Sequence, residues 1–215
     1  MKGKYQQRTD YSLNDVMSSE FKNVSPFELF SKWYDQVVLK VAKDPNAMTL
    51  STFDGEYPRA RVVLLKELDD RGFVYFTNYL SDKVSETDSY PKASLTFFWK
   101  ELERQVRVEG VVERVSGDVS DKYFNSRPRG SKIGAWASPQ SKEIESREWL
   151  EKIVTQYESE FPNEVKRPKH WGGLRLVPVR FEFWQGQSSR LHDRIVFERV
   201  SDEVNSEWKI KRLAP

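Results

Sequence analysis

Apolar residues change their spacing several times along the chain, and each change marks a different element. Residues 1–24 are polar, with few apolar positions and no clear period, which reads as a flexible N-terminal segment. Phe27, Phe30, Tyr34, Val37 and Val41 then recur every three or four residues, the stripe of an amphipathic helix lying on a core. Ser25 can cap this helix, Pro26 suits its first position, and Glu28 completes a capping box; Asp44-Pro45 ends it. From Ala47 to Val115 the period shortens, and 48–53, 59–68, 73–77, 93–99 and 104–115 read as five strands of a meander, with Asp54-Gly55 turning the first hairpin. A short helix over 81–89 interrupts them, opened by Ser81, where backbone N–H groups can meet a phosphate. Helical spacing returns at 120–126, stopped by Arg127-Pro128, and at 146–157, with Trp149, Leu150, Ile153, Val154 and Tyr157 on one face. Strand character closes the chain at 174–184, 194–200 and 208–213. The pattern predicts a mainly β fold, a β-barrel with flanking helices, as a single domain over 25–215.

Composition narrows the partners. With 35 basic and 33 acidic residues among 215, the net charge is +2, so no one-sign field advertises nucleic acid or a membrane surface, and any anion site must be local. Hydrophobic content of 38% is low for a self-sufficient monomer, whereas 13% aromatics, seven of them Trp, is high; aromatics buried between subunits reconcile the two. The absence of cysteine excludes disulfides, thiolate nucleophiles and thiolate metal sites, and the spacing of two histidines offers little to a transition metal, so a metal-free protein is expected. The start, MKGKYQQRTDYSLNDV, lacks the apolar region of a signal peptide, and no apolar run reaches about 18 residues, which makes a cytoplasmic protein the expectation.

Several clusters carry candidate chemistry. Arg61 and Lys66 bracket an apolar strand, but a five-residue offset sends them to opposite faces unless a bulge or the strand end intervenes; solvated strand-end charges are the ordinary reading. Lys83, beside a helix N-terminus, suits a phosphomonoester. Gln105 can donate and accept along a ring edge, although a strand Gln is ordinarily a surface residue. Tyr123 and Arg127, four apart, face one side of a helix with Ser131 just beyond its end; phenol, guanidinium and hydroxyl can together hold a phosphate, the alternative being an Arg that satisfies helix-terminal carbonyls. The densest stretch, FEFWQGQSSRLHDR at 181–194, packs aromatic, cationic and imidazole groups around a Gly-containing turn and suits a planar, anionic small molecule. Alternation along Arg190-Leu191-His192 puts its two polar side chains on one face.

That last stretch resembles the C-terminal signature of the pyridoxamine 5'-phosphate oxidases, FMN enzymes that make pyridoxal 5'-phosphate, and YFNSRPRGSKIGAW at 123–136 is a second specific match. RVVLLK at 61–66 resembles the family's FMN segment, which implies that Arg61 meets the flavin phosphate, that Val62, Val63, Leu64 and Leu65 line the cofactor, and that Lys66 lies near flavin and substrate. TNYLSDK at 77–83 resembles the next flavin segment and adds Thr77 and Lys83, with two departures: Asp82 where the family usually has Arg, and Phe76 where it usually has Tyr. Either Asp82 points away or flavin affinity is reduced. By the same resemblance Gln105 contacts the flavin ring, Gln140 and Ser141 reach FMN from the partner subunit, and Trp184 and Arg194 are further flavin contacts. Tyr123, Arg127 and Ser131 would bind the substrate phosphate, Arg190, Leu191 and His192 would face the substrate with Arg190 and His192 catalytic, and Arg8 and Tyr11 keep the R-x-x-Y spacing of a substrate-covering segment. The resemblance implies an FMN-binding split barrel, a homodimer with two flavin sites at its interface, and oxidation of pyridoxamine or pyridoxine 5'-phosphate by oxygen to the aldehyde and hydrogen peroxide, in vitamin B6 metabolism. Two other readings stay open. One is a split-barrel flavin oxidase for another ring, such as a phenazine precursor, against which the phosphate set argues; the other is a noncatalytic flavin or pyridoxal-phosphate carrier, which Asp82 favours.

Overall fold

A computed structural model of the chain describes residues 11, 21, 23–40, 43–201 and 206–215. The flexible segment expected over 1–24 therefore falls almost wholly outside the described residues, as do Arg8 and Val41.

Helix α1, Pro26–Lys40, opens as its sequence dictates. The Ser25 amide donates to Glu28 Oε2 at 2.8 Å and the Glu28 amide to Ser25 Oγ at 3.2 Å, so the capping box closes in both directions. Its buried side chains are Pro26, Leu29, Phe30, Trp33 and Val37, with Phe27 and Tyr34 at the margins, so the buried stripe is rotated from the expected one by Leu29 and Trp33.

Among the described residues nine strands form one antiparallel sheet: β1 Ala47–Phe53, β2 Pro58–Leu64, β3 Glu67–Leu68, β4 Phe73–Asn78, β5 Lys92–Trp99, β6 Arg104–Arg114, β7 Trp171–Gln185, β8 Asp193–Arg199 and β9 Trp208–Leu213. Their order is β2-β1-β5-β6-β7-β4-β3, with β8 pairing β7 and β9 pairing β8. The five early strands are thus not a meander. β7 is 15 residues long and pairs through its first half with β4, from Phe73↔Leu176 to Asn78↔Trp171, and through its second half with β8. Strand periodicity reveals where strands lie but not which distant strand captures them, and a strand of this length has room for two partners on one side.

Alternation sorts the two faces. Leu95, Phe97, Val106, Val108, Phe181, Phe183, Ile195 and Phe197 point into a core closed by α1. The opposite face carries Phe98, Gln105, Trp184, Arg194 and Leu213, register partners in one row from β5 to β9.

Three helices make a second cluster beside the sheet: α3 Gly117–Ser126, α4 Arg129–Ala137 and α5 Arg147–Glu160, packed through Phe124, Ile133, Ala135, Val165 and Trp171. Helix α4 is not legible in the sequence because Gly130 and Gly134 weaken its propensity. Arg127 takes the extended backbone that a residue before proline prefers, so Arg127-Pro128 is a hinge between two helices, and Ser131 lies beyond the end of α3, as expected, in the first turn of α4. Helix α2, Asp82–Ser89, has Ser81 at its N-cap, but the Ser81 hydroxyl donates to the Asn78 carbonyl at 2.7 Å and does not cap.

Candidate functional site

A cavity of about 1180 Å³ lies between β2, β4, the start of α2 and the α3–α4 hinge. Its walls include Arg61, Val62, Val63, Leu64, Lys66, Thr77 and Lys83 from the early strands and α2. From later in the chain come Tyr123, Arg127, Ser131, Gln140 and Ser141. Arg61 and Lys66 share the cavity because β2 stops at Leu64: the Leu65 amide donates to the Asn46 carbonyl and the Lys66 amide to the Val74 carbonyl, both at 2.9 Å, which breaks the alternation. Leu65 turns into the core instead and does not line the cavity, contrary to the expectation for it.

The cationic side is tightly tied. Arg61 Nη2 lies 2.8 Å from Glu86 Oε2, and both Arg61 Nη1 and Glu86 bond the Thr52 hydroxyl. The Lys83 ammonium is buried and donates to Ser81 Oγ at 3.0 Å and Thr77 Oγ1 at 3.3 Å; burial first, and then repulsion from Arg61, holds its pKa below the usual lysine range. Gln140 Oε1 accepts from Thr77 Oγ1 and from the Asn78 amide, each at 3.3 Å, and Ser141 Oγ accepts from the Asp82 amide at 3.3 Å. Gln140 and Ser141 therefore line the cavity of their own chain. Asp82 is exposed and lines the same cavity, so it does not turn away from it.

The other side is aromatic. Phe76 stacks on Tyr123 at 3.9 Å and 16°, and Trp171 lies nearly parallel to Phe76 at 5.6 Å. The Arg127 guanidinium sits over the Trp171 ring at 4.5 Å, and its Nη1 is buried with no hydrogen-bond partner among the described residues. Burial lowers the Arg127 pKa. A buried, unpartnered charged donor is costly, and an anion in the cavity would relieve that cost. Sequence reasoning missed Trp171 and Glu86. The Trp171-Gly172-Gly173 run carried a signal, since a Cβ on Gly173 would come within 2.6 Å of Val115 Cγ2 and 2.8 Å of Phe76 Cε1; the Glu86 pairing, 25 residues from Arg61, carried none.

The remaining candidates do not line this cavity. Trp184 and His192 lie 4.7 Å apart, with Tyr11 edge-on to both at 5.5 Å. Gln105 and Arg194 flank Trp184 in the sheet, and Arg194 is held by Glu182 at 2.8 Å and by the Ala214 carbonyl at 3.0 Å. Strand alternation does not apply to Arg190 and His192: Ser188–Arg190 is a 3-10 turn in which Ser189 and Arg190 have φ of 54° and 61°. Arg190 and Leu191 are exposed. His192 Nδ1 accepts the Gln187 amide at 3.1 Å, so the neutral ring carries its proton on Nε2. Burial, then Arg190, pushes the His192 pKa below its ordinary 6.5.

Residues 35–160 match the family described as pyridoxamine 5'-phosphate oxidase, and 171–215 match the pyridoxine 5'-phosphate oxidase C-terminal dimerisation region. The chain belongs to the pyridoxamine 5'-phosphate oxidase family. It is 51% identical over 211 residues to the pyridoxine/pyridoxamine 5'-phosphate oxidase of Nostoc punctiforme, covering 97% of this chain and 96% of the relative. The Cupriavidus necator protein of the same name is 52% identical over 209 residues, with 97% of each chain covered. Among solved structures, PhzG from Burkholderia lata 383 in complex with tetrahydrophenazine-1-carboxylic acid is 28% identical, with a TM-score of 0.86 over 94% of this chain and 98% of that one. A pyridoxamine 5'-phosphate oxidase-related, FMN binding protein from Nostoc punctiforme shares the fold alone, at 14% identity and a TM-score of 0.71 over 90% of this chain and 99% of that one. The fold of this pyridoxamine 5'-phosphate oxidase family member is thus the mainly β split barrel of flavin-binding proteins, and the chain is an oxidoreductase of a flavin-using family. The dimerisation region carries Trp184, Arg190, His192 and Arg194. Among the described residues no helix is long and apolar enough to cross a membrane.

Proposed function

We propose that this chain catalyses the FMN-dependent oxidation of pyridoxamine and pyridoxine 5'-phosphates to pyridoxal 5'-phosphate, with oxygen as acceptor and hydrogen peroxide as product; the amine substrate also takes up water and releases ammonia as its imine hydrolyses. The observation that carries this reading is the joining of two phosphate-binding sets in one cavity: Arg61, Thr77, Lys83 and Ser141 around the start of α2, and Tyr123, Arg127 and Ser131 around the α3–α4 hinge. This donor set, cations and hydroxyls with one buried Arg127 nitrogen lacking an acceptor, fits a phosphorylated flavin together with a phosphorylated pyridine.

FMN, when bound, supplies the hydride acceptor and the route for electrons to oxygen. The chain's own residues bind and orient. Arg61 and the Lys83 ammonium neutralise the cofactor phosphate, whose charge in turn favours the protonated amine that burial disfavours. Arg127, seated over the Trp171 ring at 4.5 Å, offers its N–H groups to the substrate phosphate, with the Tyr123 and Ser131 hydroxyls lining the same cavity. Lys66 shares the cavity with both sets.

Trp184, Arg190, His192, Arg194 and Gln105 lie outside that cavity, so they reach a substrate held there only from a second copy, in keeping with the dimerisation region that bears four of them. On this reading the functional unit is a homodimer with sites shared between chains. His192 would present its Nε2–H as a hydrogen-bond donor while Nδ1 stays engaged with Gln187, and Arg190 would orient the reacting carbon. Tyr11, edge-on to Trp184 and His192, would cover them and exclude water.

The similarity to PhzG favours one second reading, a flavin oxidase for a ring without a phosphate. The Tyr123, Arg127 and Ser131 set would then have nothing to grip. Purified protein saturated with FMN, supplied with either phosphate ester, is expected to consume oxygen and yield aldehyde and peroxide in equal amounts. No aldehyde and no peroxide would overturn the oxidase reading, and equal rates with the unphosphorylated vitamers would favour the second one.

A further inference from the structure

We propose that Glu86 is a positioning residue for the cofactor phosphate, acting through Arg61; the inference rests on the reading of Arg61 as a phosphate contact. A carboxylate in a wall that receives anions opposes them by charge, so its presence calls for a compensating role. Glu86 is 8% exposed and lies on the inward side of α2, one turn after Lys83. Its Oε2 accepts from Arg61 Nη2 at 2.8 Å and from the Thr52 hydroxyl. Arg61 Nη1 donates to that same hydroxyl, which closes a triangle of carboxylate, hydroxyl and guanidinium.

The two ends of one guanidinium are therefore anchored to two strands and a helix: β2 through Arg61 itself, β1 through Thr52 and α2 through Glu86. A long side chain that meets a phosphate as a free rotor must lose its rotamer freedom at binding, whereas one already held in place does not. Lys83 differs in kind, since among the described residues its ammonium bonds the Ser81 and Thr77 hydroxyls and no carboxylate. Glu86 thus sets where one cation of the pair stands, while the other is held by neutral partners.

The test is a double-mutant cycle read by FMN binding to the full-length apoprotein, followed through flavin fluorescence, with the melting temperature measured without flavin. Glu86→Ala is expected to weaken FMN about tenfold or more, the low end for residues that orient a contacting ligand. Glu86→Gln, whose carbonyl can still accept from both partners, is expected to stay within about threefold of wild type. In an Arg61→Ala background, Glu86→Ala should change affinity less than about twofold, because the two residues act as one unit. Thr52→Val provides a milder break of the same triangle should Glu86→Ala fail to fold, with an expected loss of about threefold that also vanishes without Arg61. An unchanged FMN affinity in Glu86→Ala, or an equal loss with and without Arg61, overturns the proposal. A wild-type protein that binds no FMN would be a different result, removing the flavin reading itself and this inference with it.

Discussion

Arg127→Ala is the substitution that most sharply divides substrate binding from cofactor binding. Arg127 lies over Trp171 at 4.5 Å with its Nη1 buried and unpartnered, and burial already lowers its pKa, so without ligand the guanidinium is in an unfavourable setting. A charge-assisted hydrogen bond to phosphate contributes about 1.5–3 kcal/mol, which corresponds to a rise in KM for pyridoxamine 5'-phosphate of roughly ten- to a hundredfold. Stability should move little: removing an unsatisfied donor gains about 1–3 kcal/mol, and losing the cation–π contact costs about 0.5–2 kcal/mol. FMN affinity should stay within about threefold, since Arg127 belongs to the set around the α3–α4 hinge. Steady-state kinetics with oxygen consumption, flavin titration and a thermal melt read the three quantities separately. A larger change in FMN affinity than in KM would refute the division of roles, and unphosphorylated pyridoxamine should be indifferent to the change.

Three further outcomes follow from the geometry. His192 has a pKa pushed below 6.5, chiefly by burial, so the fold favours the neutral ring: this contribution to stability is present above pH 6.5 and is lost as pH falls below it, where the unfolded chain takes up the proton first. Arg190→Ala should raise the His192 pKa as seen by NMR titration, and a fall would contradict the assignment. Asp82→Asn removes a carboxylate from the cavity and should tighten FMN about two- to fivefold, while costing about 0.3–1 kcal/mol of helix stability because the acidic group favours the α2 N-terminus; a looser flavin would count against it. Gly173→Ala puts a Cβ 2.6 Å from Val115 Cγ2 and 2.8 Å from Phe76 Cε1, so a loss of about 1–3 kcal/mol is expected, and an unchanged melting temperature would show that Phe76 can retreat.

The local signals in the sequence translate well into structure where a local cause acts. The Ser25 and Glu28 capping box, the Asp54-Gly55 hairpin and the final strand all form as their residues dictate. Long-range pairing was not legible: nothing in the spacing of 73–78 announces that this strand keeps β3 on one side and takes β7, about a hundred residues away, on the other. The same limit applies to the site. Arg61 and Lys66 looked incompatible by strand alternation, and only the break after Leu64 puts them in one cavity. Helix α4 escaped because its two glycines mask a nine-residue helix, and Glu86 escaped because an ion pair across 25 residues leaves no periodic trace. The motifs carry the residue types in order along the chain, whereas their division between a cavity and a separate cluster is set by the fold.

That division yields the most direct test of the account, a mixing experiment between Arg127→Ala and His192→Asn proteins, assayed at substrate well below the raised KM of the former, where each should be severely impaired alone. If Arg127 of one chain works with His192 of another, half of randomly reassociated dimers are mixed and each mixed dimer holds one intact site of two, so about a quarter of wild-type activity should return. Activity no higher than the average of the two parents, with mixed dimers demonstrated, would mean that the reacting groups come from a single chain and would contradict the shared site.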